Sequence, residues 1–106
     1  MELYNLKNMI KGWFIGNFEP TILKTDLFEI AIKKYKAGDE EIEHYHKIAK
    51  EFTIIISGIV SFNNKKYHED DIIIIEQNEK VKFKSITNSK TLVIKIPSCV
   101  NDKFSV

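Results

Sequence analysis

Short stretches of four to eight residues rich in apolar side chains, separated by turn residues, dominate this chain of 106 residues. The clearest stretches are 28–35, 51–56, 72–75 and 91–96, and each has the length and composition of a β-strand. Asn63 and Asn64 separate two further stretches, and asparagine tolerates the left-handed conformation that a two-residue hairpin turn needs. The pattern predicts a single all-β domain.

Alternation also predicts which side chains point inward. In the stretch 28–35, Phe28, Ile30 and Ile32 recur at every second position, so we expect them on the buried face of the strand. Val81 and Phe83 alternate with lysines in the same way and should also point inward.

The four consecutive isoleucines at 72–75 indicate a strand that is covered on both faces. One face can fill the interior of the domain. The other face needs a second sheet or a second subunit, because an exposed apolar strand promotes aggregation. This run therefore predicts a homodimer.

The composition indicates which partners and which cellular compartment to expect. The net charge is +1 with acids and bases interspersed, so we expect neither nucleic acid nor a membrane surface as a partner. All sixteen basic residues are lysine, and the lack of arginine argues against a site that grips phosphate with bidentate contacts. The single cysteine, Cys99, cannot form an internal disulfide. With no signal-peptide pattern and no long apolar run, we expect a cytoplasmic protein.

The candidate chemistry lies in the stretch 38–58. His44 and His46 would share one face of a strand while Tyr45 points to the other. Glu51 begins the next predicted strand, which returns alongside. Two imidazoles and one carboxylate that converge on a point form a plausible transition-metal site.

Five residues in this stretch stand at fixed spacings: Gly38, His44, His46, Glu51 and Gly58. This spacing resembles the first motif of the cupin family. The resemblance implies a small antiparallel jelly-roll β-barrel over residues 27–96, in which His44, His46 and Glu51 are ligands of a divalent metal such as Fe, Zn, Mn or Ni. Residues 1–26 would pack on the barrel or on a dimer partner, and the tail 97–106 is expected at the surface.

The chain departs from the second cupin motif, where Val81 stands at the position of the fourth ligand, a histidine. Three alternatives follow. Waters could complete the metal shell, or His68 or Glu76 could supply the missing ligand. In the third alternative no metal is bound, and the histidines act as hydrogen-bonding groups in a pocket.

Two functions remain open from the sequence. The first is a metal-dependent enzyme acting on a small organic substrate, for example one of carbohydrate type. The second is a non-enzymatic domain that binds a small ligand or supports a partner, with a partly decayed metal site. In either case Trp13, Val81 and Phe83 are the candidate pocket residues, although Trp13 could instead plug one end of the barrel or contact a second subunit.

Overall fold

The structure is a computed structural model that describes residues 1–106, and it is almost entirely β, as predicted. The elements are a 3-10 turn (Leu6–Asn8) and the strands β1 (Trp13–Gly16), β2 (Leu23–Lys24), β3 (Glu29–Tyr35), β4 (His44–Tyr45), β5 (Lys50–Ser57), β6 (Val60–Phe62), β7 (Lys65–Tyr67), β8 (Ile72–Ile75), β9 (Phe83–Ser85), β10 (Ser89–Ile96) and β11 (Phe104–Ser105). None of its helical residues form a segment long and apolar enough to cross a membrane.

The strands form one large sheet and two small ones. The large sheet has six strands in the order β2-β1-β3-β10-β5-β8, the second has the order β7-β6-β9, and β4 pairs with β11. All neighbours are antiparallel except β1 and β2. A bridge between His44 and Val81 places β4 beside the segment that leads into β9.

The apolar core joins the large sheet to the three-stranded sheet. It consists of Ile55, Val60, Phe62, Ile75, Val81 and Phe83. The predicted inward orientation of Val81 and Phe83 is confirmed, since their exposed fractions are 4% and 3%. The predicted hairpin is also confirmed, because Asn63 and Asn64 have φ values of 52° and 68° between β6 and β7.

Strand β3 faces the opposite way from our expectation. Its inner face carries Ala31, which is fully buried, and Lys33, which lines the interior cavity. Ile30 and Ile32 lie on the outer face of the large sheet. The alternation identified the strand correctly, but the apolar side chains pack against neighbours on the outer face rather than in the interior.

The outer face of the large sheet is crossed by two rows of apolar residues. The strand registers align Ile32, Leu92, Ile54 and Ile72 in one row, and Ile30, Ile94, Phe52 and Ile74 in the other. Ile72 and Ile74, on the edge strand β8, are 65% and 51% exposed. The isoleucine run thus alternates as expected, with its other two members directed to the interior side.

The N-terminal residues belong to the large sheet through β1 and β2. Gly12 permits the close approach of the chain before β1 to β3, because its φ is +83° and a side chain there would collide with the backbone oxygen of Ile32. At the other end, the tail is not simply at the surface: β11 pairs with β4, and Asp102 is only 6% exposed.

Candidate functional site

A cavity of about 240 Å³ lies on the inner face of the large sheet. Its apolar lining consists of Trp13, Phe62, Val81, Phe83 and Val93, and its polar lining consists of Lys11, Lys33, Tyr35, Glu41, His44, Glu51, Thr53, Thr91, Lys95 and Lys103. The cavity therefore combines an apolar floor with four lysines and two glutamates. Small-ligand sites commonly have this mixture of apolar wall and converging polar groups.

The sequence-predicted residues divide between two cavities. His44, Glu51 and all three candidate pocket residues line the cavity described above. His46 instead lines a neighbouring cavity of about 300 Å³, together with Asp102. Lys95 lines both cavities and stands at the boundary between them.

Backbone pairing fixes His44 in the cavity wall. Its N–H donates to the carbonyl oxygen of Val81 at 3.1 Å, and the Val81 N–H donates back at 2.9 Å. The ring Nδ1 donates to the carbonyl oxygen of Ile42 at 2.8 Å, so the lone pair of the neutral ring is on Nε2. Ile42 itself is 76% exposed, and its side chain does not line the cavity.

His46 is almost completely buried, and its lone pair is already occupied. Its Nε2 lies 3.1 Å from Nζ of Lys95, and the ring centroids of the two histidines are 5.2 Å apart. Because an ammonium group can only donate, His46 must accept this hydrogen bond as a neutral ring. Burial, followed by the charges of Lys95 and His44, lowers the pKa of His46 to about 4.

Asp102 holds the loop that follows His46. Its carboxylate accepts hydrogen bonds from the backbone N–H groups of Lys47, Ile48 and Ala49 at 2.8–3.1 Å. The loop joins β4 to β5, so this tail residue positions His46, which directly follows β4, and Glu51 on β5. Asp102 could not be identified from the sequence, because no local pattern links it to a loop more than fifty residues away.

Glu51 is one of the two glutamates that pair with Lys95 in the large sheet. Lys95 on β10 is directly opposite Glu51 on β5, so their side chains leave the sheet on the same face. Thr53 Oγ1 donates to Glu51 Oε2 at 3.1 Å. Burial raises the pKa of Glu51, and the Lys95 charge and the Thr53 hydrogen bond only partly offset that effect.

Tyr35 and Glu41 form a second polar pair on the cavity wall that sequence reasoning did not identify. Tyr35 Oη donates to Glu41 Oε1 at 2.7 Å. Burial tends to raise the pKa of Glu41, but this hydrogen bond and the charges of Lys103 and Lys33 outweigh it, so the pKa is below its ordinary value. The pKa of Tyr35 is raised by burial and then by Glu41, so Tyr35 stays protonated.

Trp13 lies close to two of the cavity's cations. Nζ of Lys33 is 5.2 Å from the centroid of the indole ring, and Nζ of Lys95 is 5.0 Å from it. Both distances are within the range of cation–π attraction. Burial, and then the neighbouring lysine charges, lower the pKa of Lys33, although Glu41 opposes this.

No side chain replaces the missing fourth histidine. Val81 pairs directly with His44, and it offers no lone pair. His68 is exposed, with Nδ1 4.0 Å from Asp71 Oδ2, and Glu76 is exposed and paired with Lys50 at 3.2 Å. Neither His68 nor Glu76 lines the cavity.

The predicted ligands, as they are arranged, do not fit a metal ion. The structure contains no group of three or more His, Cys, Asp or Glu side chains arranged to hold one. His44 and Glu51 face one cavity, while the lone pair of His46 is directed at an ammonium group. Metal binding by these three residues stays a prediction.

No known family matches the chain by sequence, and no curated protein matches it either. Solved structures do resemble it. A double-stranded β-helix protein from Klebsiella pneumoniae shares 13% identity with a TM-score of 0.73, covering 98% of this chain and 90% of that one. The chain therefore has the cupin fold.

Two enzymes of this fold are also similar to the chain. The DMSP lyase DddQ from Ruegeria pomeroyi shares 14% identity with a TM-score of 0.73, and the match covers 89% of this chain but only 49% of the lyase. Oxalate decarboxylase from Bacillus subtilis, which has Mn(II) centres, shares 15% identity with a TM-score of 0.65, covering 77% of this chain and 25% of the enzyme. Divalent metals thus occur in proteins of this fold, and this chain spans half or less of each enzyme.

Proposed function

We propose that this cupin-fold chain binds a small organic anion, such as a short carboxylate, in the cavity between its sheets. The observation that carries the proposal is the charge of the cavity wall, where four lysines face two glutamates. The four ammonium groups outnumber the two carboxylates, and burial raises the pKa of one of those glutamates, Glu51. A carboxylate that enters the cavity would offset this excess of positive charge.

The size of the cavity sets the size of the ligand. A volume of about 240 Å³ is below the roughly 300–1,000 Å³ of sites for drug-sized molecules. The apolar wall formed by Trp13, Phe83 and Val81 suits a short carbon skeleton, and the lysines suit its charged end. A wider groove of about 670 Å³ shares Lys11, Lys33, Tyr35 and Glu41 with the cavity and offers a route of entry.

Trp13 provides a direct readout of binding, because it is the only tryptophan in the chain and lies beside two of the lysines. Titration with oxalate, malonate and pyruvate at pH 7 should give a saturable change in tryptophan fluorescence for at least one of these anions. Malonamide, which is uncharged and has a similar shape to malonate, should give none.

Variants test the assignment of the cations. Lys33→Met should weaken anion binding by about tenfold or more, since it removes one charged hydrogen-bond donor. Lys66→Met, on exposed β7, is the matched control and should bind like the native chain. No saturable signal from any anion, or an equal response to malonate and malonamide, would contradict the proposal.

Metal-dependent catalysis on a small organic substrate is the second candidate function. The spacing of His44, His46 and Glu51, and the 5.2 Å between the two imidazole rings, favour it. It requires His46 to exchange its hydrogen bond with Lys95 for a bond to a metal ion. Metal content per subunit in the native chain and in His46→Ala separates the two candidates.

We further propose that the chain forms a homodimer through the outer face of the large sheet. Two rows of apolar side chains cross four strands there. A contiguous apolar surface of this kind is typical of an interaction site.

A further inference from the structure

We propose that the ammonium group of Lys95 takes the place of the metal ion in this chain, so that an internal cation, and not a metal, binds His46. The relevant contact is the hydrogen bond between Lys95 Nζ and His46 Nε2 at 3.1 Å. With this nitrogen occupied, His46 cannot offer its lone pair to a metal ion. The inference does not depend on the proposed function, because it concerns which cation the histidine binds.

The strand register shows why Lys95 reaches this position. On β10, Lys95 stands between Glu29 on β3 and Glu51 on β5, and all three side chains emerge on the inner face. Trp13 lies against the ammonium group on that face, 5.0 Å from its ring centroid to Nζ. Lys95 is therefore held among groups that attract a cation.

A bound metal would conflict with this cation. Lys95 Nζ lies 3.1 Å from His46 Nε2, so a divalent ion bound to that nitrogen would lie within a few ångströms of a positive charge. Like charges at such a distance repel strongly in a partly buried site. Val81, which pairs with His44, has no lone pair and adds no further ligand for a metal ion.

Lys95 also has hydrogen-bond donors left to bind a ligand. An ammonium group has three N–H donors, and only the one to His46 has a hydrogen-bond acceptor in the chain. No carboxylate lies within 4.0 Å of its nitrogen. The remaining donors can bind an oxygen atom of a molecule in the cavity, at the place where a metal would otherwise bind it.

The test is to restore metal binding by removing the lysine. Co²⁺ and Ni²⁺ are titrated by calorimetry and by visible absorption into the native chain, Lys95→Met and Lys95→Gln, with Lys66→Met as a matched control. Native and control proteins should bind neither ion specifically. The Lys95 variants should gain at least about 100-fold in affinity, and adding His46→Ala should abolish the gain.

Circular dichroism and thermal melting establish that each variant is folded. If Lys95→Met is not folded, Lys95→Gln is used for the metal titration. The proposal is overturned if the native chain binds a metal stoichiometrically and loses it in His46→Ala. It is also overturned if folded Lys95 variants bind no more metal than the native chain. Both outcomes are distinct from a failure of the anion titration.

Discussion

Replacing Asp102 with alanine should destabilise the chain by about 2–4 kcal/mol. The change leaves three backbone N–H groups without their acceptor. That of Ala49 is buried, and an unpaired buried donor costs about 1–3 kcal/mol. Lys47 and Ile48 are exposed, so water can replace their bonds and we assign them about 1 kcal/mol together. At this chain length the melting temperature should fall by at least about 8 °C.

Urea unfolding followed by tryptophan fluorescence and circular dichroism measures this loss. Asp102→Asn keeps one acceptor oxygen and should lose less stability than Asp102→Ala. Asp26→Ala, at an exposed aspartate without side-chain hydrogen bonds, is the control and should change little. If Asp102→Ala unfolds within about 0.5 kcal/mol of the native chain, the carboxylate does not hold the loop and our account of how the site is built is wrong.

Three further predictions concern other parts of the fold. Gly12→Ala should cost at least about 2 kcal/mol in thermal unfolding, because its side chain meets the backbone of β3; Gly38→Ala, also at positive φ but facing open space, should cost less. Tyr35→Phe should make stability less sensitive to acid between pH 7 and pH 3. The pKa of Glu41 is lower in the folded chain than in the unfolded chain. Its carboxylate therefore stabilises the fold at pH values above the unfolded pKa, and this stabilisation is lost as the pH falls through the folded pKa. Tyr35→Phe removes one cause of the low pKa, so less stabilisation is lost in acid. Ile72→Lys should convert a dimer to a monomer in light scattering; a native chain that is already monomeric would refute the proposed interface.

Local patterns predicted the strands well. The hairpin at Asn63 and Asn64 depends only on the backbone preference of two adjacent residues, and the structure has it where expected. The isoleucine run predicted both the strand β8 and its two apolar faces. The fixed spacings around His44 predicted the cupin fold.

Features that depend on pairing between distant strands were not predictable. Alternation in β3 cannot show which face turns inward, and the face that carries Lys33 was chosen by its pairing with β10. Lys95 looks like one more polar residue in an apolar strand until its register opposite Glu51 is known. Asp102 acts on a loop that only the folded chain brings near it.

The most direct test of the internal-cation site is a crystal structure of the native protein, purified without chelator and measured at the absorption edges of Mn, Fe, Ni and Zn. We predict Lys95 Nζ within hydrogen-bonding distance of His46 Nε2, with no anomalous peak near His44 or Glu51. A metal peak bonded to both histidines and to Glu51, with Lys95 turned away, would contradict the account.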